Sequence, residues 1–204
     1  MARFKIFLLS PARCDGERAK LLFRPEARFE LAMKLRTPQG ATLGQTFSFL
    51  SGLYFRGKLA YAKTFGKHGS FVITTDRGLV SPDELITLDD LRAMAGNCID
   101  TREQRYRGPL ERDVKGLPSC DVVLLGSVAS GKYVDILLDI LGPRLKFPAE
   151  FVGRGDMSRG GLLLRCVEER RELTYVPVKG AVLNGKRPPK LAPKPGIMSR
   201  VKDD

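Results

Sequence analysis

The segment from Gly126 to Lys132 reads GSVASGK and fits the pattern G-x-x-x-x-G-K of phosphate-binding loops. It lies between a predicted strand and a predicted helix, where backbone N–H groups and a helix N-terminus can hold a phosphate. Tyr133 stands where such loops carry the Ser or Thr that contacts magnesium. The pattern predicts phosphate or nucleic-acid binding by Gly126, Ser127, Lys132 and Tyr133. NTP binding and a simple strand-to-helix turn are the alternatives.

A second glycine-rich segment, residues 153–161, contains two arginines and one aspartate. Glycines let a backbone approach a ligand closely, and arginines hold phosphate in a bidentate manner. Asp156 could accept a proton, orient an arginine or cap the following helix, and it is a catalytic candidate. The alternative is a tight turn into a helix with surface arginines. The residues predicted here to bind phosphate or nucleic acid are Gly153, Arg154, Gly155 and Arg159.

Aromatic and basic residues alternate from Tyr54 to Lys58. In proteins that bind single strands, aromatic rings stack on bases and cations contact phosphates. Tyr54 and Phe55 are therefore candidates for base stacking, and Arg56 and Lys58 for phosphate contact. Aromatic residues at helical spacing also form cores, so a purely structural role remains the alternative.

Asp76 follows the second predicted strand directly and could act as a base or orient a water molecule, which makes it the other catalytic candidate. Arg77 beside it is a phosphate candidate, although a salt bridge between the two residues is the alternative. Cys14 precedes a helix start, where a thiol pKa falls, but the sequence offers it no histidine partner. The one histidine, His68, lies in a Gly-Lys-His-Gly turn typical of a surface position.

Short apolar runs alternate with helical patterns along the chain, which predicts an α/β fold: a three-layer α/β/α sandwich with a mainly parallel central sheet. We expect one domain over residues 1–178 and a poorly ordered basic tail over 179–204. The strands are predicted at 4–9, 70–74, 121–125, 146–151 and 173–178. The helices are predicted at 15–22, 25–35, 45–65, 87–95, 108–117, 131–141 and after 153–161, to about 169. Four loops, 10–16, 75–82, 126–131 and 153–161, should meet at the carboxyl edge of the sheet, where ligands bind.

The chain of 204 residues has a formal net charge of +12 and a pI of about 9.8. Residues 179–204 hold seven basic and two acidic side chains. This positive net charge favours nucleic acid, nucleotides or an anionic surface as partners. The apolar run near the start is too short for a membrane span and favours a first strand. Four cysteines without C-x-x-C spacing predict reduced thiols in the cytoplasm, no metal site and no cofactor.

Several short motifs resemble a known family. They are an aromatic-Phe and Tyr-Ala helix pattern (54–55 and 61–62), a Gly-Leu-x-x-Pro turn (78–82), and Gly126 with Tyr133 after a later strand. Over residues 4–165 this layout resembles a bacterial family of unknown function with a uracil-DNA-glycosylase-like α/β fold. The turn is similar to one in the peroxide-stress DNA-binding family. The resemblance implies a three-layer fold and a role with nucleic acid or nucleotides, but it does not supply a catalytic residue.

We therefore expect a nucleic-acid- or nucleotide-directed protein with a basic crevice at the carboxyl edge of the sheet. Base-directed N-glycosidic hydrolysis by Asp76 and Asp156 is the enzymatic interpretation. The alternatives are a DNA- or RNA-binding protein without activity, whose tail supplies affinity, and an NTP-binding protein that uses the loop at 126–132.

Overall fold

A computed structural model describes residues 4–129, 131–182 and 185–191. Its centre is a six-stranded sheet with strand order β4-β3-β1-β6-β7-β8, and a two-stranded ribbon pairs β2 with β5. The strands are β1 (Lys5–Leu9), β2 (Ala41–Thr42), β3 (Ser70–Ile73), β4 (Leu79–Val80), β5 (Leu85–Ile86), β6 (Asp121–Leu125), β7 (Leu145–Pro148) and β8 (Tyr175–Pro177).

The sheet is mainly parallel, as predicted. β1 pairs in parallel with β3 and β6, and β6 pairs in parallel with β7. β4 and β8 pair antiparallel to β3 and β7 at the two edges. Residues 6–9 and 122–125 in the central strands are almost completely buried, which fits their continuous apolar runs. The chain passes from β1 to β3 on one side and from β6 to β7 on the other, so the strand order reverses between β1 and β6.

Helices flank the sheet, which confirms the predicted α/β/α architecture. α4 contacts β1, α3 and α8, and α6 contacts α7. Within the described residues, none of the helices has the length and apolar character needed to span a membrane. The helices are α1 (Glu17–Phe23), α2 (Glu30–Leu35), α3 (Leu43–Ser51), α4 (Leu53–Phe65), α5 (Leu88–Ala95), α6 (Gln104–Lys115), α7 (Gly131–Leu141) and α8 (Asp156–Glu168).

The predicted helix over 45–65 is two helices, α3 and α4, because the chain breaks at Gly52. That glycine has a φ of +62°, a conformation that other residues rarely adopt. The break turns α4 toward β1. As a result, the side chain of Lys58 reaches the end of that strand.

The predicted helix over 25–35 forms only from Glu30 onward. The guanidinium group of Arg36 donates hydrogen bonds to the carbonyl oxygens of Leu22, Arg24, Ala27 and Ala32, at 2.6 to 3.3 Å. Because these contacts satisfy carbonyl groups at the end of α1 and in the following turn, the chain need not continue as a helix there.

Helix α6 begins at Gln104, four residues before the predicted start, and includes Pro109. Tyr106, Leu110 and Val114 are buried at a spacing of four residues, so one apolar face holds the helix against the core across the proline. A capping box starts α5: the Thr87 hydroxyl accepts from the backbone N–H of Asp90, and the Thr87 N–H donates to the Asp90 carboxylate.

Part of the predicted tail lies against the domain. A Cβ on Gly153 would lie 2.2 Å from the carbonyl oxygen of Lys186, and one on Gly161 would lie 3.4 Å from the side chain of Leu191. Residues 185–191 therefore pack beside the start of α8 without regular structure. The rest of the predicted tail, residues 183–184 and 192–204, lies outside the described residues.

Candidate functional site

A cavity of about 610 Å³ opens at the carboxyl edge of the sheet, where the strand order reverses between β1 and β6. Ligands of open α/β sheets bind at such positions. All four predicted loop segments contribute to its wall: residues 10–15, Thr75, Ser127 and Asp156. Further wall residues come from α3 and α4, from the start of α7 and from the end of α5 with the loop that follows it.

The floor of the cavity joins Ser10 and Lys58. Ser10 follows the last residue of β1, and its N–H donates to the carbonyl oxygen of Leu125 at 3.2 Å, which fixes it beside β6. The Lys58 Nζ lies 2.6 Å from the carbonyl oxygen of Ser10 and 2.9 Å from its Oγ. Both residues line the cavity, with exposed fractions of 6% for Ser10 and 1% for Lys58.

Lys58 is buried among aromatic rings. Its Nζ lies 4.6 Å from the centroid of the Tyr54 ring and 4.8 Å from that of Phe55. None of the ion pairs found within the described ranges includes Lys58. Burial lowers the pKa of Lys58 to about 7, and the negative charge of Asp156 acts in the opposite direction. Near pH 7, the Lys58 amine is therefore neutral in a substantial share of the protein molecules.

Tyr133 lines the cavity next to Ser10, and Gly126, which lies outside the wall, is close to both. The Tyr133 hydroxyl donates to the carbonyl oxygen of Ser127 at 3.1 Å. Burial raises the pKa of Tyr133, and its interaction with the Ser10 side chain opposes that rise. A Cβ on Gly126 would lie 2.9 Å from Ser10 Oγ and 3.0 Å from the Tyr133 hydroxyl, so glycine allows these two groups to converge.

Helix α8 reaches the cavity because it crosses α4 at two glycines. A Cβ on Gly57 would lie 2.7 Å from the carbonyl oxygen of Gly160, and one on Gly160 would lie 2.7 Å from that of Leu53. The two backbones therefore touch, which places Asp156, the first residue of α8, on the cavity wall.

The glycine-rich segment 153–161 is not an open ligand loop, because α8 begins at Asp156. Gly153 has a φ of +72° and faces Lys186, so packing rather than a ligand explains this glycine. Gly155 precedes the helix in extended conformation and lies outside the cavity wall.

The predicted arginines do not gather at the cavity, because each of these side chains lies outside its wall. Arg154 donates to the Glu150 carbonyl oxygen at 3.0 Å and to Ser158 Oγ. Arg159 donates to the Phe151 carbonyl oxygen and to Asp156 at 3.4 Å. Arg77 pairs with Asp90 and lies 3.8 Å from Asp76, and Arg56 is exposed elsewhere on α4.

Of the predicted cations, Lys58 and Lys132 line the cavity, with Ser127 and Tyr133 close by. Lys132 is exposed at the start of α7. Arg13 also lines the cavity, but it forms an ion pair with Asp15 at 2.8 Å. Ser130 of the predicted phosphate loop lies outside the described residues.

The two aromatic residues predicted to stack on bases differ in their position relative to the cavity. Phe55 is fully buried and its ring contacts Phe47 edge to face, so this ring packs in the core and has no open face for a base. Tyr54 lines the cavity, although only 6% of it is exposed and its ring also contacts Phe151.

The two predicted catalytic carboxylates also differ in their position relative to the cavity. Asp156 lines the cavity and its side chain is 68% exposed. Asp76 lies outside the cavity wall, although its neighbour Thr75 is part of it. Burial raises the pKa of Asp76, and one of its oxygens is buried without a hydrogen bond to the described residues. The catalytic role of Asp76 stays a prediction, but its carboxylate does not line this cavity.

Cys14 lines the cavity but is not an activated thiol. Burial, followed by the charge of Asp76, raises its pKa to about 12, so it stays protonated at neutral pH. Among the described residues, no group of three or more His, Cys, Asp or Glu side chains is placed to hold a metal ion.

The fold and the site define a mixed α/β protein with a cavity where the strand order of a mainly parallel sheet reverses. Comparison of the chain with protein-family models, curated proteins and solved structures finds no match.

Proposed function

We propose that this protein binds a nucleotide unit in the cavity between β1 and β6. The observation that carries the proposal is the cavity of about 610 Å³ at the strand-order reversal. That volume falls within the range of about 300–1,000 Å³ typical of small-molecule sites. Such a site places the ligand against loops that follow β1 and β6.

The wall offers groups suited to both parts of a nucleotide. Lys132 is exposed at the start of α7 and can meet a phosphate as a point charge. Asp156 and Asn97 supply polar groups that can contact the edge of a base. Arg13 and Asp15 largely neutralise each other, so the local charge favours one compact anion rather than a long polyanion.

Replacement of Lys132 by alanine should weaken nucleotide binding about tenfold. A charge-assisted hydrogen bond contributes about 1.5–3 kcal/mol, and the exposure of this lysine favours the lower end of that range. The measurement is a titration of nucleoside 5′-mono- and triphosphates by calorimetry and thermal shift, since a ligand that binds the folded state raises Tm.

Lys67→Ala is the matched control, because Lys67 is an exposed lysine outside the cavity wall. It should bind nucleotides as the wild type does. If millimolar nucleotides leave the Tm of the wild type unchanged, the proposal is wrong.

A second candidate is binding of a nucleic-acid strand, which the net charge of +12 favours. Lys186, Arg187 and Lys190 are exposed in the segment that packs beside α8. If nucleic acid binds along this segment, replacing all three residues by alanine should reduce the magnitude of the slope of log K against log salt concentration. On duplex DNA the reduction should be about 2 to 3, since each phosphate contact contributes about 0.9. An unchanged slope, or no binding by the wild type, would leave the single nucleotide as the ligand.

A further inference from the structure

Ser10 and Lys58 form a pair whose geometry suits nucleophilic catalysis. A serine attacks a carbonyl carbon only when a base takes its proton, and a lysine can serve when its amine is neutral. Here the Lys58 Nζ lies 2.9 Å from Ser10 Oγ, within the distance over which a general base accepts a proton.

The contacts of Lys58 suit the neutral amine. Lys58 Nζ donates to the Ser10 carbonyl oxygen at 2.6 Å and to Ser10 Oγ at 2.9 Å. In the neutral amine the second contact can reverse, so that the lone pair accepts the proton of Ser10 Oγ. The rings of Tyr54 and Phe55 lie against the amine and contribute to its burial, while Lys58 still lines the cavity. Asp156 from α8 is the carboxylate whose charge acts on Lys58. The other charged groups at the cavity are Lys132 from α7 and the Arg13–Asp15 pair from the loop after β1.

The position of Ser10 also suits a nucleophile. It is anchored by its backbone to β6, it lines the cavity, and Gly126 leaves space over its Oγ. The Tyr133 hydroxyl converges on the same point, and its pKa is raised, so it remains a proton donor at neutral pH. If its proton turns away from the carbonyl oxygen of Ser127, it can donate to an oxygen on which negative charge develops.

We propose that Ser10 is the nucleophile and Lys58 the general base of an acyl-transfer reaction on a ligand that carries a carboxylic ester or amide. Lys58 takes the proton of Ser10 Oγ as that oxygen bonds to the carbonyl carbon. The tetrahedral intermediate collapses, the bond to the leaving alcohol or amine breaks, and Lys58 returns the proton to the leaving group. Water, deprotonated by Lys58, then attacks the carbonyl carbon of the acyl-Ser10 ester. The bond between that carbon and Ser10 Oγ breaks, Lys58 returns the proton to Oγ, and the carboxylic acid is released.

This activity goes beyond nucleotide binding, and the two proposals can fail separately. Loss of acyl transfer would leave nucleotide titrations unchanged. Absence of nucleotide binding would leave the reactivity of Ser10 toward a small electrophile unchanged.

The test is labelling of the full chain with an alkyl fluorophosphonate, whose phosphorus reacts with activated serines. Intact mass and peptide mapping give the site and the rate. The wild type should gain one adduct on Ser10, and Ser10→Ala should gain none there. Ser51→Ala is the matched control: this serine also lines the cavity but is not part of the pair, so labelling should proceed as in the wild type.

Lys58→Met should label at least 100-fold more slowly, within the range of about 10² to 10⁴ that general bases contribute. Because this variant could fold less well, the wild type supplies an independent readout. Its labelling rate should rise with pH and level off above about 7, the value that burial gives the Lys58 pKa. No adduct on Ser10, a rate that is flat between pH 5 and 9, or an undiminished rate in folded Lys58→Met would overturn the proposal.

Discussion

The wild-type protein should gain about 2 kcal/mol in the free energy of unfolding, relative to Lys58→Met, when the pH rises from 7 to 9. The reason is the buried amine of Lys58, whose pKa falls from its ordinary value of 10.5 to about 7. Between these two values the unfolded chain binds a proton that the folded chain lacks. The free energy of unfolding therefore increases with pH, by up to about 1.4 kcal/mol per pH unit.

The sign of this pH dependence follows from the charge of Lys58 in the folded and unfolded states. Below pH 7, Lys58 is protonated in both states and the folded state bears the penalty of a buried charge. As the pH rises through the folded-state pKa, the amine becomes neutral and this penalty disappears. The gain continues until the unfolded-state value of 10.5 is reached. Urea unfolding at pH 6, 7, 8 and 9 measures the difference between wild type and variant.

Subtracting the variant removes the other groups that titrate in this range. Lys67→Met replaces an exposed lysine and should show no such dependence on pH. A difference that stays constant from pH 6 to 9 would mean that Lys58 keeps its proton when folded. In that case Lys58 could not act as the base for Ser10, so this measurement bears on the acyl-transfer proposal without any substrate.

The central strands could be predicted from the sequence because a strand buried on both faces is a continuous run of apolar residues. Residues 6–9 and 122–125 are apolar at every position, and both segments are strands. The break at Gly52 could not be predicted in the same way, because the apolar pattern continues on both sides of it. The ribbon of β2 and β5 was missed since each of its strands has only two residues. Such short strands carry no periodicity.

The predicted arginines do not gather at the cavity, for a different reason. The prediction took guanidinium groups in loops to be available to a ligand, whereas carbonyl oxygens a few residues away in the chain accept their hydrogen bonds. Arg154 reaches the carbonyl oxygen of Glu150, four residues away, and Arg159 reaches that of Phe151, eight residues away. Local partners of this kind depend on the fold of the turn and cannot be read from residue types.

The role of Ser10 was missed because a serine after a strand is an ordinary loop residue. Its significance comes from Lys58, which lies 48 residues later and reaches it only because α4 crosses β1. One sequence signal pointed toward this arrangement. Lys58 stands among aromatic residues on an apolar helix face, where an unpaired lysine is uncommon.

Replacement of Gly160 by alanine should lower the free energy of unfolding by about 1 to 2 kcal/mol. The new Cβ would lie 2.7 Å from the carbonyl oxygen of Leu53 and 2.8 Å from the Tyr54 Cα. Both are backbone atoms of α4, so no flexible side chain can move aside and the helices must separate. Overpacking of this kind costs about 1–3 kcal/mol, occasionally more, and outweighs the gain of about 1 kcal/mol that alanine brings to a helix.

Gly161→Ala is the matched control, since it changes the next residue of the same helix. Its Cβ would lie 3.4 Å from the end of the Leu191 side chain, which can move, so the helix gain should appear without the clash. Separation of α8 from α4 also moves Asp156 and Tyr54, so Gly160→Ala should weaken ligand binding in the cavity while Gly161→Ala preserves it. Equal stability of the two variants in urea would show that the helices can part without loss, and that their contact does not hold the cavity in shape.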